Sequence, residues 1–162
     1  MPSRRVSLLS VRTIVVASDA PSVRADVVTV LGNPEDVVVE VSSGPQAIEV
    51  VVNQEVDLLV VDIQMSNMGG MAVCMELRLE ASYGKLPHVP VLMLLDRRPD
   101  VFLARRSGAE GWLVKPLDPR RLRRAMNALM DGQTYHDESS RPLPVSRVTV
   151  DAAQGSSSHS SI

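Results

Sequence analysis

Five residues stand where they could do chemistry together: Asp19, Asp62, Asp96, Lys115 and, beside the first of them, Ser18. Each follows a short apolar run, directly or one residue on. Two carboxylates brought close together repel unless a cation lies between them. A hard divalent ion with oxygen ligands, most naturally Mg²⁺, would relieve that repulsion. A lysine ammonium at the same edge adds positive charge. Such a group of side chains suits the acceptance of a phosphoryl group on a carboxylate, where positioning and charge neutralisation supply most of the catalysis.

Each residue also has a plainer reading. An aspartate after a strand commonly caps a turn, and Asp19, two residues before Pro21, could do only that. A single Lys-Pro pair carries little meaning. Taken jointly in their places, Asp19, Asp62 and Lys115 are much harder to dismiss, provided that the right elements hold them.

Those elements are legible as five apolar runs, Thr13–Ala17, Val37–Val41, Leu58–Val61, Val89–Leu95 and Trp112–Val114. Most are continuous rather than alternating, the pattern of strands buried on both faces of a parallel sheet. The stretches between them are long enough for crossover helices. Asp118 as N-cap, Pro119 at the first helical position, the spacing of Leu122, Met126 and Leu129, and Gly132 at the end predict the last helix. Met71–Ala81 reads as the third helix. Ser22–Leu31 and Gln46–Asn53 carry valines of strand propensity and are assigned as helices from the alternation. The expected fold is therefore α/β, a doubly wound five-stranded parallel sheet with helices on both faces. In the order 2-1-3-4-5, strands one and three are neighbours, so Asp19 and Asp62 would face each other at the strand ends, where such sheets place their sites.

Composition narrows the class. The 162 residues fit one domain with tails: an extension over 1–11, the domain over 12–132, and a Ser-rich stretch over 133–162 expected to be disordered. That length leaves no room to expect an output domain on the same chain. One cysteine excludes a disulfide framework and a multi-cysteine metal site and fits a reducing cytoplasm. No apolar stretch is long enough to span a membrane. The net charge of −2 argues against binding nucleic acid over the whole surface. Charge is uneven, however: Arg97–Arg124 holds nine basic and three acidic residues. Arg105, Arg106, Arg120, Arg121 and Arg124 thus mark a basic face for an acidic protein surface, against the plainer reading of a solvated helix face. Met65, Met68, Met71 and Met75 read as adaptable packing rather than ligands.

The run Asp57-Leu58-Leu59-Val60-Val61-Asp62-Ile63-Gln64-Met65-Ser66-Asn67-Met68-Gly69-Gly70 resembles the phosphoacceptor segment of response-regulator receiver domains of bacterial two-component systems. Gly108-Ala109-Glu110-Gly111-Trp112-Leu113-Val114-Lys115-Pro116-Leu117-Asp118 is similar to the lysine motif of the same family, including its chemotaxis regulators. The resemblance covers about Arg12 to Met130. It implies a flavodoxin-like fold with Asp62 as phosphorylated residue, Asp19 as metal-ligating acid and the Gln64 backbone carbonyl as a further Mg²⁺ ligand. Lys115 would contact the phosphoryl group through a Lys115–Pro116 peptide that is often cis, and Trp112 would take the aromatic position whose rotamer reports the switch. The implied donor is a sensor histidine kinase or a phosphotransfer protein, or a small phosphodonor. The implied output is contact with another protein, or a homodimer, through the surface from helix four to helix five; turnover catalysis is not implied.

Several residues depart from the family pattern. Ser18 replaces one of two adjacent acids, which should lower metal affinity, although its hydroxyl could hold a metal-bound water. Leu95 replaces a Ser or Thr and has no hydrogen to donate to a phosphoryl oxygen. Asp96 replaces a small residue and could repel a donor or serve as a replacement acid. Ser66 replaces a proline, a mild loss of loop rigidity. These changes keep a second reading open: a degenerate, phosphate-independent receiver acting as a constitutive binding module. A flavodoxin-like redox domain is a third, opposed by the acid where a flavin phosphate would need donors.

Overall fold

The computed structural model describes residues 11–31 and 33–137. Strands and helices alternate: β1 Thr13–Ala17, α1 Pro21–Val30, β2 Val37–Val41, α2 Gly44–Asn53, β3 Leu58–Asp62, α3 Gly70–Ser82, β4 Val91–Leu95, a single 3₁₀ turn at Arg98–Asp100, α4 Val101–Ser107, β5 Gly111–Val114, α5 Pro119–Met130 and β6 Tyr135–His136. The strands form one sheet in the order β2-β1-β3-β4-β5-β6, parallel throughout.

Strand geometry explains the continuous apolar runs. Successive side chains point to opposite faces, and helices cover both. Val15, Ala17, Leu59, Val61, Met93, Leu95 and Trp112 pack towards α2, α3 and α4. Ile14, Val16, Leu58, Val60, Leu92, Leu94 and Leu113 pack towards α1 and α5. All five residues of β3 and all five of β4 are buried. The valines of α1 and α2 lie in helices, because Val27, Val30 and Val51 bury apolar surface that outweighs their weak preference for strand. The last helix begins as its sequence indicates, with the Asp118 carboxylate accepting from the Arg120 and Arg121 amides.

The expected count of five strands is corrected to six. The added strand, Tyr135–His136, pairs with β5 and comes from the stretch assigned to a disordered tail. The turn from α5 is made at Gly132, whose φ of 82° lies in the left-handed region that favours glycine. The rest of that tail, 138–162, and the extension before residue 11 lie outside the described residues. Among the described residues no helix is long and apolar enough to cross a membrane.

Candidate phosphoacceptor site

The sheet register brings the polar residues to one edge. Ala17 is level with Val61, so the next residues, Ser18 and Asp62, come opposite each other. Leu95 is level with Val114, which sets Asp96 beside Lys115. Asp62 closes β3 and is 3% exposed. The approach of α3 behind it depends on Gly70: a Cβ there would lie 2.6 Å from the Asp62 carbonyl oxygen.

Both carboxylate oxygens of Asp62 are engaged. Lys115 Nζ donates to Oδ1 at 2.8 Å, and the Ser18 hydroxyl donates to Oδ2 at 2.9 Å. Ser18 is itself buried, and its Oγ accepts from the Ala20 amide at 3.1 Å. The backbone places it: the Ser18 amide donates to the Val41 carbonyl, and Arg24 donates to the Ser18 carbonyl while pairing with Glu40. Lys115 also donates to Asp96 Oδ1 at 2.9 Å, so one ammonium bridges two carboxylates. Burial would lower the lysine pKa, but the hydrogen bonds to Asp62 and Asp96 and the charges of both outweigh it and hold it above 10.5. Lys115 is thus a fixed cation at neutral pH. The Lys115–Pro116 peptide is cis.

The expected facing of Asp19 and Asp62 is corrected. Asp19 lies one residue beyond the position opposite Asp62, is exposed, and turns to the loop after β3. There its Oδ2 accepts from the Ser66 amide at 3.1 Å and the Ser66 hydroxyl at 3.3 Å. A proline at 66 could supply neither donor, so Ser66 fastens the loop to Asp19 rather than merely loosening it. Asp19, Gln64 and Ser66, with Ile63 and Met65, line an open polar depression next to Asp62. Among the described residues no three His, Cys, Asp or Glu side chains gather as a ligand cluster. The available donors are two carboxylates, from Asp19 and Asp62, and the Gln64 backbone carbonyl. An all-oxygen set with few acids fits Mg²⁺, which commonly uses one or two carboxylates and keeps several waters.

The other candidates lie elsewhere. Leu95 is fully buried in the aliphatic core. Its backbone carbonyl accepts from the Lys115 amide at 2.8 Å, so its contact with the site is through the main chain. Trp112 is 2% exposed and stacks on His136, with ring centroids 4.0 Å apart. The Arg105 guanidinium lies 5.5 Å from the Trp112 ring centroid. Arg105, Arg106, Arg120 and Arg124 are exposed. Arg121 is not part of that open basic face, since it pairs with Asp137 at 3.0 Å. Cys74 is buried, its thiol donating to the Ser107 carbonyl, and desolvation raises its pKa. Sequence reasoning missed the roles of Ser18 as a direct donor to Asp62 and of Ser66 as the partner of Asp19. It also missed Asp137 entirely.

A parallel sheet in this order, with a buried aspartate at the end of β3 held by a lysine after β5, defines a receiver-type signalling domain. The response regulator receiver domain family matches residues 14–127, and the chain belongs to that family. It is 29% identical over 133 residues to the nitrate/nitrite response regulator protein NarL of Escherichia coli K12, covering 81% of this chain and 60% of that one. It is 30% identical over 142 residues to the DNA-binding response regulator MtrA of Mycolicibacterium smegmatis, covering 85% and 58%. The chain therefore spans about three-fifths of the length of these curated relatives. The solved signal receiver domain of a response regulator NarL from Mycobacterium tuberculosis superposes with a TM-score of 0.65 at 29% identity, covering 76% of this chain and 99% of that one.

Proposed function

We propose that this receiver accepts a phosphoryl group on Asp62 from a sensor histidine kinase or phosphotransfer protein in the cytoplasm and signals through contacts with another protein. The observation that carries the reading is the pairing of buried Asp62 with Lys115 at 2.8 Å. An Asp62 carboxylate oxygen would form the new P–O bond as the phosphorus–donor bond breaks and the donor leaves with the bonding electrons. Lys115, kept protonated by its two carboxylate neighbours, offers its charge to the phosphoryl oxygens without giving up its proton. Asp19, Asp62 and the Gln64 carbonyl would hold Mg²⁺, which supplies charge neutralisation at the phosphoryl group when bound. Ser18 orients Asp62 directly by donating to Oδ2. The domain modifies itself and turns over no separate substrate.

The relative MtrA is a DNA-binding response regulator; the output of this receiver is contact with another protein, made through the exposed arginines of α4 and α5. Whether the receiver acts alone or joined to a further domain leaves the chemistry at Asp62 unchanged.

The second reading, a phosphate-independent binding module, draws on two observations. Both oxygens of Asp62 are already satisfied within the protein, and Leu95 is buried without a hydroxyl. One experiment separates the two. The protein and its Asp62→Asn variant are incubated with Mg²⁺ and a small acyl phosphate, and intact mass is measured. A single phosphoryl increment in the wild type, absent from the variant and from samples with chelator, is expected. No increment under any condition would favour the second reading.

A further inference from the structure

Asp96 spends its carboxylate on the same ammonium that holds Asp62. Its Oδ1 accepts from Lys115 Nζ at 2.9 Å, while Asp62 Oδ1 accepts from that nitrogen at 2.8 Å. The two carboxylate oxygens therefore lie within about 6 Å of each other, two hydrogen bonds end to end. Among the described residues Lys115 is the one hydrogen-bond partner of the Asp96 side chain, which is 34% exposed. The main chain is fixed on both sides of it. Leu95 is buried, and its carbonyl accepts from the Lys115 amide at 2.8 Å. Beyond Asp96, the segment from Arg97 to Asp100 is a closed turn. The Arg97 amide donates to Asp100 Oδ2 at 3.1 Å, and the Asp100 amide to the Arg97 carbonyl at 3.1 Å. Asp100 is buried, and α4 starts at the next residue, Val101. Asp96 is thus the joint between a pinned strand end and a capped turn that leads into α4.

We propose that Asp96 is an internal competitor for Lys115: it holds the ammonium while Asp62 is bare, and a phosphoryl group on Asp62 displaces it. The inference rests on the phosphoryl acceptance proposed above and names how that event is regulated and passed on. In place of one carboxylate charge, Asp62 then carries about −1.5 to −2 on three strong acceptor oxygens. An ammonium between that group and one exposed carboxylate goes to the larger charge. The two anions also repel. At about 6 Å a single like charge shifts an equilibrium by about threefold in water and about a hundredfold at the screening usual near a protein surface. Asp96 has no second partner among the described residues to keep it in place. It swings into solvent and carries the capped turn with it. The same competition acts on the bare site, where Asp96 occupies Lys115 against an arriving donor and slows phosphoryl acceptance. Leu95 has no hydroxyl, so no hydrogen bond from its side chain draws this segment inward. The signal travels by the release of Asp96. Asp96 is therefore a positioning residue that acts through Lys115. An ordinary exposed ion pair, the plainer reading, would alter neither the rate of acceptance nor the place of the turn.

The test compares the full chain with its Asp96→Ala and Asp96→Asn variants, with Asp62→Asn as the blank. Each is incubated with Mg²⁺ and acetyl phosphate, and the rate of the phosphoryl increment is read by intact mass. Both Asp96 variants should accept about tenfold faster than the wild type, the asparagine because it keeps the size and loses the charge. Amide resonances of Arg98, Asp100 and Val101 are then recorded with Mg²⁺ before and after beryllofluoride, a stable mimic of a phosphoryl group on a carboxylate. In the wild type they should move. In Asp96→Asn they should lie near the moved positions from the start and change little. Equal rates in the wild type and both variants would overturn the proposal, as would a gain in Asp96→Ala alone, which would make size and not charge the obstacle. So would wild-type resonances that stay still, or an Asp96→Asn spectrum that matches the free wild type at these amides. An increment absent from every protein would overturn the phosphoacceptor reading and this inference with it, so the two failures are told apart.

Discussion

Replacing Ser18 by alanine tests the site at its least expected contact. Ser18 is fully buried, and its hydroxyl donates at 2.9 Å to Asp62, itself only 3% exposed. A hydrogen bond to a charged acceptor contributes roughly 1.5–3 kcal/mol, and its loss leaves a buried carboxylate oxygen unsatisfied. The Ala20 amide loses its acceptor as well, but it sits at a partly exposed helix start where water can replace the serine. The expected cost of Ser18→Ala is therefore about 2–3 kcal/mol, a fall in Tm of about 4–12 °C for a chain of this size. The assay is urea unfolding in chelator for the wild type, Ser18→Ala, Asp62→Ala and the double variant. The double-mutant cycle isolates the pair, and its coupling should be about 1.5–3 kcal/mol. A coupling below about 0.5 kcal/mol would refute the assignment of Ser18 as a direct donor to Asp62. With Mg²⁺ present the coupling should shrink, because a ligated Asp62 no longer depends on the serine.

Lys115→Met leaves Asp62 and Asp96 without their shared cation and should cost about 1–3 kcal/mol at neutral pH, less than a fully buried pair because the lysine side chain is 23% exposed. Since the folded pKa of Lys115 is raised, its contribution is complete below the unfolded value near 10.5 and is lost only as pH rises through the folded value. The gap between wild type and variant, read by urea unfolding, should thus stay flat from pH 7 to 10; a gap closing by pH 9 would contradict the pairing. Gly70→Ala places a Cβ 2.6 Å from the Asp62 carbonyl oxygen and must push α3 from the site, at about 1–3 kcal/mol by thermal unfolding. Asp19→Asn should weaken Mg²⁺ binding roughly tenfold or more by calorimetry. It should barely change the urea midpoint, because Asp19 is exposed; a large stability loss without a change in affinity would make Asp19 a loop anchor only.

Much of this protein was written in local pattern. Runs such as Leu58–Val61 and Val91–Leu95 are apolar at every position, the pattern of strands covered on both faces, so the parallel sheet and the edge holding Asp62, Asp96 and Lys115 are legible in the chain. The tertiary structure decided who faces whom. Register set Ser18, not Asp19, across from Asp62, and a difference of one residue along a strand is invisible to composition. It gave Asp19 to Ser66, 47 residues away, and Lys115 to Asp96 as well as Asp62. It also turned Tyr135–His136 from apparent tail into a sixth strand. That segment is too short and polar to show any period, and its order is supplied by the β5 edge, the Trp112 ring and Arg121. Periodicity records which face a residue buries, whereas a hydrogen-bond partner distant in sequence is fixed only when the sheet closes around it.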